Sequence, residues 1–104
     1  MIIVLGSVVV QEGRVDEALS LSQEHVARSR AEPGCIAHAV HQDTENPLRL
    51  VFVEQWASQE ALWEHFKVPA SRTFAKALAA LGREEPSIAI YEAALVQVPR
   101  KSAT

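Results

Sequence analysis

The segment that most constrains what this chain can fold into is LRLVFVEQW, residues 48–56, because apolar side chains occupy both of its alternating sets of positions. Successive side chains of a strand point to opposite faces of the sheet, so both faces of this strand are expected to be covered. Residues 1–10 show the same pattern and are rich in β-branched side chains, which favour strands. A sheet containing these two strands therefore needs a covering layer on each side.

Helical spacing of apolar residues, turn residues and further strand patterns define the other elements. The predicted elements are a strand at 1–10, a helix at 14–31, strands at 35–42 and 48–56, a helix that begins at 57–58, stops at Pro69 and resumes at 70–81, and a strand at 87–98. This order is the split βαβ, or ferredoxin-like, arrangement, an α+β fold with an antiparallel sheet and helices on one face. We expect a single domain over residues 1–98, followed by a polar C-terminal tail over 99–104.

Helices on one face leave the other apolar face of the sheet without a cover. Val8, Val51 and Val53 lie on the two strands whose faces are both apolar. A second copy of the same sheet is the simplest cover, so the pattern predicts a homodimer.

Composition excludes several classes of protein. The formal net charge of the 104 residues is -3, and no basic stripe is present, so we expect no nucleic-acid partner. No apolar run approaches the roughly 20 residues of a membrane helix, so we expect no membrane partner. The single cysteine excludes an internal disulfide framework and is typical of an intracellular protein, for which we expect a cytoplasmic location.

Several short motifs carry a resemblance to a known family. They are, in chain order, Glu32-Pro33-Gly34-Cys35, Asp43, Asn46-Pro47, Phe52-Val53-Glu54-Gln55-Trp56, Ala61-Leu62 and His65. Together they resemble the antibiotic biosynthesis monooxygenase (ABM) domain family, from Ile3 to about Val96. The resemblance implies a dimeric α/β barrel made of two ferredoxin-like halves. That family includes quinol and anthrone monooxygenases that use molecular oxygen without flavin, haem or metal, and also haem-degrading members and an isomerase of a phosphorylated signalling molecule.

The chain departs from the family pattern at two places. His38 stands where many members carry an aromatic residue, and Pro69-Ala70 stands where many have Pro-His. A polar contact usual in the pocket is therefore missing or moved to His38. Haem degradation is disfavoured, because that branch uses an asparagine on the first strand, where this chain offers only Ser7, and tends to place a tryptophan at the position of His65.

His65 and Glu54 are the candidate catalytic residues. His65 lies on the apolar stripe of its predicted helix, where an imidazole can accept a proton near neutral pH. Glu54 lies in an otherwise apolar strand, where a carboxylate needs a partner, and it is expected to orient His65 or the start of the next helix at Ser58. A core histidine and a structural ion pair are the alternative interpretations.

A substrate pocket is expected next to these two side chains. Trp56 and Phe52 share the face of Glu54 by strand parity and are predicted to form its wall. Phe66, beside the helical histidine, and His38, on the neighbouring strand, complete the predicted pocket. Packing in the core or at an interface is the alternative for the tryptophan.

The histidines do not predict a metal site. His38 and His41 are three residues apart in a strand and therefore point to opposite faces, and no cysteine or carboxylate completes a ligand set. His25 lies on the inner stripe of the first helix as a core or pocket-wall residue. Phosphate-binding glycine loops are absent, so we expect neither a metal nor an organic cofactor.

These observations favour a cofactor-independent monooxygenase that oxidises a small aromatic phenol, hydroquinone or anthrone with molecular oxygen. In this interpretation His65 accepts the phenol proton in a dry pocket. One alternative is a non-redox isomerase of a small metabolite, and another is a non-catalytic small-molecule-binding protein of the same fold. All three need one pocket and one polar group, so the residues alone leave them open.

Overall fold

A computed structural model describes residues 1–100 and confirms the predicted α+β, ferredoxin-like arrangement. The elements are β1 (Ile2–Val9), α1 (Val15–Ser29), β2 (Cys35–Gln42), β3 (Arg49–Trp56), α2 (Gln59–Lys67), α3 (Pro69–Leu81) and β4 (Ser87–Glu92). The strands form one antiparallel sheet in the order β2-β3-β1-β4, and the helices pack on one face of it. The sheet of one chain is open, so it does not by itself form the closed barrel that the resemblance implies.

Strand β3 shows how the alternating pattern divides between the two faces. Leu50, Phe52, Glu54 and Trp56 are buried beneath the helices, whereas the residues between them are half-buried on the opposite face. The same alternation holds in β1, where Leu5 on the outer face is 43% exposed. The predicted pair of apolar faces is therefore present, with one face in the core and the other uncovered in the single chain.

The core beneath the helices has two apolar parts. One contains Leu50 and Phe52 of β3, packed with residues of α1 and α3. The other contains Trp56 of β3, packed with Leu62 of α2 and the start of β1. Glu54 lies between them along β3, so a buried polar layer separates the two apolar parts.

Local signals set the boundaries of α2 and α3. The hydroxyl of Ser58 accepts a hydrogen bond from the Ala61 amide at 3.1 Å and so caps α2 at the helix start that the sequence predicts. Pro69 ends the preceding helix as predicted but is itself the first residue of α3, where its missing N–H leaves no helical bond unmade. Within the described part of the chain, no helix has the length and apolarity needed to cross a bilayer.

The predicted extent of the last strand is wrong. Strand β4 ends at Glu92 rather than Val98, after pairing with β1 as far as Ile2. The Ala93 amide still donates to the Met1 carbonyl at 2.8 Å, but residues 94–98 form no strand. Leu95, 86% exposed, has the apolar character of a strand residue without a strand to pair with. Of the predicted polar tail at 99–104, the last four residues lie outside the described part of the chain.

Gly34 fixes the approach of the α1–β2 turn to α2. Its φ of +82° lies in the left-handed region, and a Cβ built on it would lie 2.5 Å from the Cβ of Ala61. The backbone of the turn therefore passes directly against the helix. This contact places Glu32, two residues earlier, beside the C-terminal half of α2.

Gly34→Ala is expected to destabilise the fold more than Gly13→Ala. Both glycines have positive φ, which costs an alanine about 1–2 kcal/mol, but nothing lies within 4 Å of a Cβ at Gly13. The clash with Ala61 should add a further ~1–3 kcal/mol at Gly34. Urea denaturation of both variants measures the difference, and equal losses of unfolding free energy would show that the turn does not press on α2.

Candidate active site

A cavity of about 290 Å³ opens between the sheet and the helices. Its walls are mainly apolar, and three buried ionisable side chains, His25, Glu54 and His65, reach it. Phe52 and Phe66, both predicted for the pocket, line this cavity, and Phe66 does so from a partly exposed position at its edge. The volume lies just below the usual range of about 300–1,000 Å³ for ligand pockets, so the cavity suits a small ligand.

His65 is paired with Glu32 rather than with Glu54. Its Nδ1 lies 2.8 Å from Oε1 of Glu32, and its side chain is only 4% exposed. An ionised carboxylate only accepts, so Nδ1 donates, and Nε2 is left as the basic nitrogen of a neutral ring. The prediction that Glu54 orients His65 is therefore wrong, because the Gly34 turn brings a different carboxylate to this imidazole.

Glu54 instead holds two other buried side chains. Its Oε1 accepts a hydrogen bond from Trp56 Nε1 at 2.9 Å and lies 3.3 Å from Nε2 of His38. Burial alone would raise the pKa of Glu54, but the contacts with His38 and Trp56 outweigh it and hold that pKa below its usual value. The predicted bond to the start of α2 is not formed, since the Ser58 hydroxyl caps that helix itself.

Trp56 and His38 do not line the cavity, contrary to expectation. Trp56 is fully buried, and its ring centroid lies 4.6 Å from that of His65. His38 is 2% exposed and lies beside Glu54 in the cross-strand register of β2 and β3. Both side chains therefore support the residues that face the cavity. Strand parity placed both side chains on the correct face of the sheet, but it did not show that they lie too deep in the core to reach the cavity.

Three histidines from three different elements meet in the polar layer. His25 of α1, His38 of β2 and His65 of α2 each place one ring nitrogen within 4.8 Å of the other two. Such a set of nitrogen donors can hold a transition metal. His41, considered with His38 in the sequence, is exposed on the opposite face as predicted. The sequence compared His38 only with His41, whereas the two imidazoles nearest to it come from the helices α1 and α2.

His25 is the site residue that the sequence places least clearly. Its helical spacing marks it as inward-facing, but only the fold brings it to two other imidazoles. Its ring stacks on Phe74 at a centroid distance of 4.0 Å. Burial, followed by the neighbouring His38 and His65, lowers the pKa of His25 to about 3. His25 is therefore neutral at neutral pH.

The comparisons with known proteins agree with this architecture. A family model described as antibiotic biosynthesis monooxygenase matches residues 1–77. The chain belongs to the antibiotic biosynthesis monooxygenase family. It is also 32% identical over 96 residues to the uncharacterized protein sll1783 of Synechocystis sp., covering 92% of this chain and 65% of that protein. The chain thus spans just under two thirds of the length of this curated relative.

Several solved structures share the fold of this chain. A crystal structure of an antibiotic biosynthesis monooxygenase, 25% identical, superposes with a TM-score of 0.85 over 91% of this chain and 100% of that one. A conserved protein from Methanosarcina mazei, 28% identical, gives 0.83 over 86% of this chain and 89% of that one. A Deinococcus radiodurans protein, 23% identical, gives 0.89 over 97% and 100%, respectively. The family fixes the fold of this chain more firmly than its reaction, since one fold hosts many chemistries.

Glu54→Ala should destabilise the protein more than Glu54→Gln. Alanine leaves the buried Trp56 N–H without an acceptor, which costs about 1–3 kcal/mol in addition to the cavity formed, whereas glutamine keeps an oxygen at that position. The free energies of unfolding from urea titrations at pH 7 give the comparison. Equal stability of the two variants would mean that the indole hydrogen bond contributes nothing.

Proposed function

We propose that this chain is a cofactor-independent monooxygenase that oxidises a small aromatic phenol, hydroquinone or anthrone with molecular oxygen. The observation that carries the proposal is the pairing of the buried His65 with the partly buried Glu32, beside a small, mainly apolar cavity that His65 lines. Membership of the ABM family and the likeness to a structure named as a monooxygenase support it.

The paired carboxylate suits His65 to the role of proton acceptor. A carboxylate bonded to one ring nitrogen fixes the tautomer and orientation of the imidazole and stabilises the imidazolium that forms on proton transfer. Nε2 then takes the acidic proton of the substrate. The apolar walls, including Phe52, exclude water and offer flat surfaces to an aromatic ring.

The chemistry balances with molecular oxygen as the only co-reactant. Proton transfer to His65 leaves an electron-rich substrate anion, which gives one electron to oxygen. The two radicals combine into a peroxide at the substrate carbon. Loss of water from the peroxide leaves a carbonyl, so one oxygen atom enters the product and the other leaves as water with two hydrogens of the substrate.

His65→Ala should lower turnover of an anthrone or hydroquinone by on the order of 10²–10⁴-fold while the variant stays folded, because the proton acceptor is lost. Glu32→Gln should lower turnover less, since the imidazole stays but loses its negative partner. Lys76→Ala, on the exposed side of α3, is the control and should match the unaltered protein. Turnover and melting temperature are measured on the same preparations, with ¹⁸O₂ to follow the oxygen.

A destabilised His65→Ala variant with normal turnover per folded molecule would rule out the catalytic role. Turnover that continues without oxygen would instead favour the isomerase. Binding of the aromatic compound with no turnover in any variant would favour a binding protein.

We also propose that two chains pair through their uncovered sheet faces. Leu5 of β1 and Val53 of β3 are cross-strand neighbours on that face, and half-buried apolar side chains surround them. Pairing two such faces would complete a barrel and bury more than about 1,000 Å² in total, as a stable interface requires. The same pairing would cover an apolar surface that a monomer leaves in water.

Val53→Lys should convert the dimer to a monomer, because it places a charge at the centre of the apolar face without touching the core beneath the helices. Ala80→Lys, on the exposed side of α3, is the matched control and should leave the dimer intact. Light scattering at micromolar concentration gives the mass. A monomer mass for the unaltered protein would contradict the pairing.

A further inference from the structure

We infer that His25, His38 and His65 form a binding site for a divalent transition metal such as Zn²⁺, with one imidazole nitrogen from each side chain as ligand. This goes beyond the proposed oxidation, which requires no metal. The inference rests on the geometry of three buried rings, on their unpartnered nitrogens and on the carboxylates that lie behind them.

The ring geometry is close to that of a three-histidine site. Ring centroids lie 5.3 Å apart for His25 with His38 and for His25 with His65, and 5.7 Å apart for His38 with His65. Zn–N bonds of about 2.0–2.1 Å at tetrahedral angles put ligand nitrogens roughly 3.3 Å apart. The three nitrogens already lie within 4.8 Å of one another, so small side-chain rotations bring them to bonding distance.

Two nitrogens of the cluster lack any partner. Nδ1 of His25 and Nδ1 of His38 are enclosed and form no hydrogen bond within residues 1–100. Buried polar atoms in folded proteins are nearly always bonded, so unpartnered nitrogens concentrated in one place need an explanation. A metal ion would accept a lone pair from each ring and supply that partner.

Two carboxylates contact histidines of the cluster, as carboxylates often do with the second ring nitrogen of a metal-bound histidine. Glu32 lies 2.8 Å from Nδ1 of His65, which leaves Nε2 of that ring available to a metal. Glu54 lies 3.3 Å from Nε2 of His38, which leaves its Nδ1. Carboxylates that hold the second nitrogen of a ligating imidazole fix its tautomer and raise its basicity. Together they also balance the two positive charges of the ion.

The cavity supplies the entry path and the fourth coordination position. His25 and His65 reach it, so an ion can enter from the cavity without unfolding the core. Three imidazoles with one open position are a donor set that zinc takes in proteins, and imidazole also suits copper, nickel and iron. A metal bound here would occupy the same Nε2 lone pair of His65 that the proposed oxidation uses. Zinc should therefore inhibit that reaction.

The test uses tag-free protein stripped of metal with a chelator and titrated with Zn²⁺ by calorimetry. Co²⁺ serves as a spectroscopic probe, because tetrahedral cobalt has intense visible absorption. We expect one ion per chain and a raised melting temperature with either metal. His38→Ala should lower the affinity on the order of 10²-fold or more, whereas His41→Ala, on the same strand but the opposite face, should leave it unchanged.

Glu32→Gln provides a second variant that keeps all three imidazoles and should weaken binding about 10–100-fold. Absence of a cobalt spectrum in the unaltered protein, or undiminished binding in folded His25→Ala and His38→Ala, would overturn the site. Zinc inhibition is read separately with an aromatic substrate. Zinc that binds stoichiometrically without slowing turnover would leave the metal site standing and count against His65 as proton acceptor.

Discussion

The burial of Glu54 in the middle of the core is the constraint on which the rest of the site depends. A carboxylate beneath the helices needs partners, because its transfer from water to the interior is costly unless hydrogen bonds and opposite dipoles replace the solvent. Trp56 and His38 supply them. Once these two side chains are engaged, the centre of the core is polar, and the apolar side chains of β3 pack above and below it.

The helices complete this polar layer with groups of their own. His25 comes from α1 and His65 from α2, and both side chains are buried. The Gly34 turn then brings Glu32 to the outer nitrogen of His65. Four elements thus contribute to one cluster, at a cost in stability that an all-apolar core would avoid. The fold retains a basic nitrogen next to a cavity, which is the property that both the oxidation and metal binding require.

Local chemistry made much of the fold predictable from the sequence. Alternating side chains identified β1 and β3 and both of their apolar faces, and Ser58 and Pro69 marked the helix boundaries. Strand parity also placed Glu54 beneath the helices. By contrast, the apolar residues around Leu95 have the composition of a strand but do not form one. A strand needs a neighbouring strand to pair with, and whether one is present depends on the whole fold rather than on the segment itself.

The assembly of the candidate site was not predictable in the same way. Sequence spacing compared His38 with His41, which are near in the chain but on opposite faces, and missed His25 and His65, which meet His38 only after folding. Likewise, the nearest carboxylate along the strand pattern was Glu54, whereas the partner of His65 is Glu32, 33 residues away in the chain. Tertiary contacts of this kind depend on how the helices cross the sheet, and no local pattern encodes that.

The central claim is that Glu32 holds His65 with Nε2 free to act as a base. Nitrogen-15 NMR of the histidine rings in metal-free protein tests it most directly, because the chemical shifts of the two ring nitrogens report which one carries the proton. The contact with Glu32 predicts the tautomer with the proton on Nδ1 and a free Nε2, and loss of that preference in Glu32→Gln. A proton on Nε2 in the unaltered protein would contradict the account, since that nitrogen could neither accept a substrate proton nor bind a metal.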